Sequence, residues 1–406
     1  MEIYFHLDFD AFFASVEEIL HPQYQNHPLI VGGTSTKSVC CSANYLARSY
    51  GVKAGMPVFQ IQKLVPKNTI YVNAHHQAYE EISKQVFKYI KYKFNRNIFI
   101  YSVDECWLKW NHQEEGWETW AINLAKRIQD DIMQTFHLSS SIGIGQTKFI
   151  AKMASDMKKP YGVFCIANDE DVAKYIWPLP INKMFMVGNH LALKLKKVGI
   201  NTIGDLANYP RPQELQKILT KHYIDYVNNA KGKNDGFNFY HDLPKSFSIK
   251  RTFINALFDG KELRDLIHLF ADNLATYMQE VNASCKRISC VIEELDYTFH
   301  TNLLQYRTNI KTAHDLFNQF VILFDKTYGD SNYAIRSLGF CLTRIEYEDQ
   351  DLQLKLNDLD KFNDEYKQDY NWRMQVQSLI NQASKNVGKL DDNFTNHVKE
   401  KTQFNH

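Results

Sequence analysis

Two short stretches gather the residues best suited to chemistry. Ile3 to Glu18 reads IYFHLDFDAFFASVEE, and Ile98 to Leu108 reads IFIYSVDECWL. In each, an apolar run rich in β-branched and aromatic residues leads into carboxylates, the pattern of a buried strand with acids at its end. Unpaired carboxylates inside a fold are strongly disfavoured, so Asp8 with Asp104 and Glu105 calls for a shared positive partner. Hard oxygen donors favour magnesium. Two such ions, roughly 3.5 to 4 Å apart, activate an attacking oxygen and stabilise a leaving one in an in-line phosphoryl displacement. Glu105 best suits the ion that activates the attacking hydroxyl, and Phe9 offers its backbone carbonyl. Taken singly, an Asp-x-Asp or Asp-Glu pair is more often a solvated strand end or a salt-bridge partner.

Periodicity outlines the elements that must position these acids. Residues 1 to 10 read as a strand and Phe12 to Leu20 as a helix, with Phe12, Val16 and Ile19 on one face and Asp10 as its cap. A short strand begins at Leu29, and a helix runs through Ala43 to Tyr50, with Gly51 to stop it. An amphipathic helix spans Ala74 to Phe94, then a strand Ile98 to Val103, a helix from about Glu115 to Phe136 and a strand Ser139 to Gly143. Such alternation predicts a layered α/β domain. Residues 167–233 are mostly helical, 234–245 are polar and linker-like, and 246–348 alternate strand and helix.

Composition narrows the class. The 406 residues are 44% hydrophobic and 23% charged, as in a soluble globular protein of two to four domains, and no apolar run is long enough to span a membrane. The N-terminus carries Glu2, Asp8 and Asp10 without a basic segment before an apolar one, so no secretory signal is expected and the protein should stay in the cytoplasm. Seven cysteines without C-x-x-C pairs argue against zinc modules and disulfide frameworks. The net charge of +1 means that any DNA surface must be a local patch.

Four motifs then fall in a telling order: DFDAFFASVE from Asp8, ANYLAR from Ala43, SVDE from Ser102, and SSIGIGQTKFIAKMASDMKKPYG from Ser140. Together they resemble the Y-family DNA polymerases, the lesion-bypass enzymes that include the bacterial DinB and UmuC branches, over residues 1 to about 348. The resemblance implies an α+β multi-domain right hand. Its palm would be 1–10 and 75–166, with a mixed sheet and helices. Small fingers would be 11–74, a helical thumb with a helix-hairpin-helix 167–233, a linker 234–245 and an α/β little finger 246–348, with a C-terminal tail at 349–406. It further implies a monomer that uses two Mg²⁺ ions, primer-template DNA and dNTPs for low-fidelity translesion synthesis in DNA repair.

Residue by residue, the resemblance places Phe9, Phe12 and Phe13 beside the incoming nucleotide. Phe13 would be the steric gate that excludes a 2′-hydroxyl. Tyr45 and Arg48, three apart on a helix, would grip the triphosphate together with Lys159. Lys148 and Lys152, four apart, would form a basic edge toward primer phosphates. In the thumb hairpin, MFMVGNHLALKLKKVGI from Met184, Phe185 and Met186 stand where the family has Pro and Gly, which leaves Gly188 for a backbone contact to phosphate. Lys250, Arg251 and Arg336, with Lys245, would track DNA in the little finger. Gln353 to Leu356 resembles the front of the bacterial sliding-clamp peptide Q-L-x-L-F, with Asn357 in place of the aromatic. Two rival readings are a DNA-binding repair factor that keeps the fold without turnover, and a nucleotidyl cyclase on a similar two-metal palm.

Overall fold

The computed structural model describes residues 1–36, 38–112, 116–233, 243–258, 260–329 and 333–348. They form two compact units, 1–233 and 243–348, each with its own hydrophobic core. Most of the expected linker, and the tail with its clamp-like Gln353 to Leu356, lie outside the described residues. Among the described residues no helix is long and apolar enough to cross a membrane.

Eight strands order the first unit: β1 (Glu2–Phe9), β2 (Leu29–Val31), β3 (Ser42–Ala43), β4 (Ile70–Val72), β5 (Ile98–Ile100), β6 (Glu105–Asn111), β7 (Ser140–Gly145) and β8 (Val163–Ile166). Five form a sheet in the order β5-β6-β1-β7-β8, antiparallel except for the β7–β8 pair. β1 lies at its centre and is covered on both faces, which is why it reads as an unbroken apolar run. Ile3, Phe5, Leu7 and Phe9 join the core built with the helices His76–Lys93 and Trp117–Phe136. Tyr4, His6 and Asp8 point the other way, toward the helix Lys148–Ser155.

The acidic end of the second stretch is built differently from the expected single strand over Ile98 to Val103. That strand stops at Ile100, and the chain turns through SVD into β6, whose first residue is Glu105. The turn is tied down by Phe9 N–H donating to the Asp104 carbonyl at 2.9 Å and Tyr101 N–H donating to the Glu105 carbonyl at 2.9 Å. Asp8 and Glu105 thereby become directly opposed partners on neighbouring strands.

The helix Lys148–Ser155 lies so close on β7 that only glycine fits at position 143. A Cβ there would come within 2.0 Å of the Ala151 carbonyl oxygen and 2.1 Å of the Ser155 nitrogen, both backbone atoms. Gly143→Ala is therefore expected to push the helix outward and to destabilise the unit by about 3 kcal/mol, read from urea unfolding. An unchanged unfolding midpoint would show that the helix shifts without penalty.

A smaller sheet, β3-β2-β4, carries the ANYLAR segment. The helix expected through Ala43 to Tyr50 is shorter, Tyr45–Ser49, because Ser42–Ala43 pairs with β2 and Asn44 caps the helix by accepting from Ala47 N–H. Helices Asn189–Lys197, Ile203–Ala207, Pro212–Leu219 and Tyr223–Ala230 make a further cluster in this unit.

The second unit is a four-stranded antiparallel sheet of β9 (Ser246–Leu257), β10 (Ala283–Glu294), β11 (Phe299–Ile310) and β12 (Ile335–Tyr347), in the order β11-β10-β12-β9. Helices Lys261–Glu280 and Ala313–Tyr328 pack on one face through Ile288, Leu338, Phe340 and their neighbours.

Candidate active site

Directly opposed like charges on neighbouring strands repel, so the Asp8–Glu105 pair needs a positive centre between them. Lys152 supplies it. Its Nζ lies 2.6 Å from Glu105 Oε1 and 3.2 Å from Asp8 Oδ2, and the side chain is buried. Lys159 Nζ lies 2.8 Å from Asp8 Oδ1 and 3.0 Å from Asp156 Oδ1. Burial alone would lower both ammonium groups, but the carboxylates around them hold both above the usual lysine range. Asp104 accepts from Ser102 Oγ at 2.6 Å, and its carboxyl is raised, first by burial and then by the nearby Asp8 and Glu105 charges.

Lys152 corrects one expectation. Placed in sequence on an exposed basic edge with Lys148, it is instead a buried counter-ion of the acids. Lys148 points elsewhere, its Nζ 5.2 Å from the Phe99 ring centre and its carbonyl accepting from Trp107 Nε1 at 2.9 Å.

Asp10 corrects a second. The residue at the helix start is Ala11, in the left-handed region at φ 48°, and no side chain caps that helix. Asp10 is buried and accepts from Ser139 Oγ at 2.7 Å, Ser141 Oγ at 2.8 Å and Tyr161 N–H at 2.9 Å, with Tyr45 OH at 3.3 Å. It ties β7, the loop after Lys159 and the ANYLAR helix to the end of β1.

A cleft of about 230 Å³ opens over these groups, lined by Asp8, Phe9, Phe12, Phe13, Tyr45, Arg48, Asp104 and Lys159, with Ala11, Cys41 and Ser42. Eight of the residues singled out in the sequence thus share one opening. Arg48 lies over the Tyr45 ring at 4.8 Å, and its Nε–H donates to the Ala43 carbonyl at 2.8 Å, so the pair presents a cation and a phenol as one unit. Phe12 is core, stacked on Phe9 at 5.5 Å. Phe13 is only half buried and stacks on Tyr79 at 4.4 Å and 19°. Of the two neighbouring lysines, Lys158 lies over the Phe164 ring, whereas Lys159 pairs with Asp8 and lines the cleft.

The donor set suits hard divalent cations. Asp8 and Asp104 line the cleft, Glu105 faces Asp8 on the neighbouring strand, and ammonium nitrogens at 2.6 to 3.2 Å show that the space between Asp8 and Glu105 accepts positive charge. As the side chains stand, no group of three acidic, imidazole or thiol side chains among the described residues forms a closed metal cage, and Lys152 occupies the space between Asp8 and Glu105.

The remaining sequence candidates are not among the residues that line the cleft. Gly188 is exposed at the start of the helix Asn189–Lys197, and a Cβ there would meet nothing within 4 Å, so its type is not sterically required. Met186 takes the left-handed conformation, φ 70°, that a glycine would adopt freely, and its carbonyl accepts from Tyr226 OH at 3.0 Å. In the second unit, Lys250 and Arg336 both pair with the buried Glu293, Lys250 at 2.9 Å, and Ser337 Oγ donates to the same carboxylate at 2.7 Å. Despite burial, these hydrogen bonds and charges hold the Glu293 carboxyl below its usual range. Arg251 follows Lys250 on β9 and so projects from the opposite face of the sheet. The three basic residues therefore do not form one patch, which single-residue spacing on a strand already signals.

Comparison with known proteins agrees with this architecture. Residues 7–156 match the impB/mucB/samB family, and residues 244–356 match the impB/mucB/samB family C-terminal domain. The DNA polymerase IV of Ureaplasma parvum serovar 3 is 32% identical over 359 residues, which cover 85% of this chain and 94% of that protein. The DNA polymerase IV of Listeria monocytogenes serotype 4a is 30% identical over 342 residues, 84% of this chain and 94% of that one. Among solved structures, a Y-family DNA polymerase chimera of Dbh and Dpo4 superimposes with a TM-score of 0.68 at 26% identity, over 85% of this chain and 99% of the other. With its ordered motifs, two-unit α+β build and acid-lined cleft, the chain belongs to the impB/mucB/samB family and is a DinB-like Y-family DNA polymerase of right-hand fold.

Proposed function

We propose that the chain is a template-directed DNA polymerase for low-fidelity translesion synthesis, in which the primer 3′-oxygen attacks the α-phosphorus of a dNTP and pyrophosphate leaves. The observation that carries this reading is the convergence of Asp8 and Asp104 with Phe13, Tyr45, Arg48 and Lys159 on one cleft. Acids at one end and phosphate-binding cations along the wall suit a nucleoside triphosphate better than any neutral ligand. Asp8, Asp104, Glu105 and the Phe9 carbonyl would hold two magnesium ions, which when bound supply Lewis-acid stabilisation of the reacting oxygens. Lys159 and Arg48 neutralise the triphosphate, Tyr45 orients it and Phe13 bounds the sugar. Lys152 keeps the opposed acids Asp8 and Glu105 in place.

By this reading residues 1–10 and 75–166 are the palm, 11–74 the fingers, 167–233 the thumb, 234–245 the linker and 246–348 the little finger. In the first unit, Lys148 and the backbone of the Gly188 turn contact DNA phosphates, and in the little finger Lys250 and Arg336 do so from one face of the sheet and Arg251 from the other. Because Glu293 neutralises part of the charge of Lys250 and Arg336, phosphate contact there is weaker than their count suggests. The protein works as a monomer in the cytoplasm, with the DNA it copies.

Primer extension tests the whole. Stepwise, template-complementary elongation should require primer-template, dNTP and magnesium together. Conversion of nucleotide in the absence of DNA would point to a cyclase, and binding of primer-template without extension to a repair factor that lacks turnover. Tyr45→Ala or Arg48→Ala should raise the KM for dNTP about tenfold while the Kd for primer-template changes less than about twofold. Equal loss of both affinities would refute the triphosphate role.

A further inference from the structure

Behind the wall of the cleft lies a buried carboxylate that plays no part in the chemistry described above. Glu17 is wholly inaccessible to solvent, on the helix Phe12–Leu20, one turn after Phe13 and so on the same side of it. Its Oε1 accepts two hydrogen bonds from the facing helix region, one from Tyr79 OH at 2.5 Å and one from His75 Nδ1 at 2.8 Å. Its Oε2 has no hydrogen-bond donor among the described residues, and His21 Nε2 lies 3.9 Å away, beyond hydrogen-bond reach. A half-satisfied buried carboxylate is costly, and space filling alone would be met as well by methionine or leucine.

What the carboxylate does hold is Tyr79. That side chain is buried and fixed at both ends, its hydroxyl by Glu17 and its ring face by Phe13, with centroids 4.4 Å apart and planes at 19°. Burial and then the Glu17 charge push the phenol well above its usual range, so it stays protonated and remains a donor. His76 closes the stack edge-on to Phe13 at 5.5 Å. Phe13 itself lines the cleft, so how far its ring reaches toward an incoming sugar is set by the ring beneath it.

We infer that Glu17 is a positioning residue for sugar selection, acting through its hydrogen bond to Tyr79 on the depth of the Phe13 ring. The inference rests on the reading of Phe13 as the gate. Loss of the hydrogen bond frees Tyr79 to shift along its own axis, and the Phe13 ring follows it away from the sugar. The reacting groups are untouched, so deoxynucleotide turnover persists while discrimination falls.

Single-nucleotide insertion by the full-length protein, with dNTP and rNTP on the same primer-template, tests this in Tyr79→Phe, Glu17→Leu, Glu17→Gln and Phe13→Ala. Tyr79→Phe removes one oxygen and keeps the packing, so it carries the test even where Glu17→Leu folds poorly. Tyr79→Phe should raise the rNTP-to-dNTP ratio of kcat/KM about fivefold, with kcat for dNTP within about twofold of the parent. Glu17→Gln, which keeps a carbonyl acceptor for the phenol, should stay nearer the parent than Glu17→Leu. An unchanged ratio in Tyr79→Phe, alongside a raised one in Phe13→Ala, overturns the inference and leaves the gate intact. An unchanged ratio in Phe13→Ala overturns the gate, and this inference with it.

Discussion

Asp104→Ala and Glu105→Ala should each abolish primer extension, with kcat/KM lower by at least about 10³-fold, or about 4 kcal/mol of transition-state stabilisation. Their effects on stability should have opposite signs. Asp104 is a half-buried acid raised by desolvation and by the Asp8 and Glu105 charges, so removing it relieves repulsion. The Asp104→Ala protein should be as stable as the parent or more stable by about 1 kcal/mol. Glu105 is the closer partner of the buried Lys152 ammonium, at 2.6 Å, and its loss leaves only Asp8, at 3.2 Å. Glu105→Ala should therefore cost about 2 kcal/mol, less than full orphaning of a buried charge because Asp8 remains. Thermal unfolding beside the extension assay checks both signs. Inactivity with equal destabilisation in the two variants would instead mean that the acids serve folding alone.

The opposite signs show how the site was only half legible in the sequence. The acids, their strand β1 and the helix Phe12–Leu20 stand out because each is a local pattern of apolar spacing. β6 was hidden because ECWLKWN continues the apolar character of β5 across the SVD turn, and a run of mixed hydrophobics carries no mark of where the chain reverses. Lys152 has partners 47 and 144 residues away, and its helical spacing from Lys148 is as good for a surface edge as for a buried counter-ion. Asp10 looks like a cap from its neighbours alone, and only the fold brings Ser139, Ser141 and Tyr161 to it. Glu293 was passed over for the same reason, its partners Lys250 and Arg336 being 43 residues away on either side. Glu17 carried one usable signal, an acid where the apolar helix face turns inward beside Val16 and Leu20. Long-range pairing of charge is what local reading misses.

Phe13→Ala should admit ribonucleotides, raising the rNTP-to-dNTP ratio of kcat/KM by about 10²-fold or more. The ring is half exposed at the cleft, backed by the buried Tyr79 and flanked by the buried Phe12, so it cannot yield to a 2′-hydroxyl by moving back. Rejection by a rigid wall costs the wrong substrate steric energy and the right substrate nothing, and truncation to alanine removes the wall with little change in kcat for dNTP. Stability should fall by about 2 kcal/mol, below the range for a wholly buried phenylalanine because part of the ring already faces water. Phe12→Ala provides the contrast. Its ring stacks on Phe9 inside the core, so the substitution should cost about 4 kcal/mol in unfolding free energy while sugar selection changes less than about threefold. Were discrimination to survive in Phe13→Ala, or to collapse equally in Phe12→Ala, selection would reside in the general shape of the cleft and not in the single ring at 13.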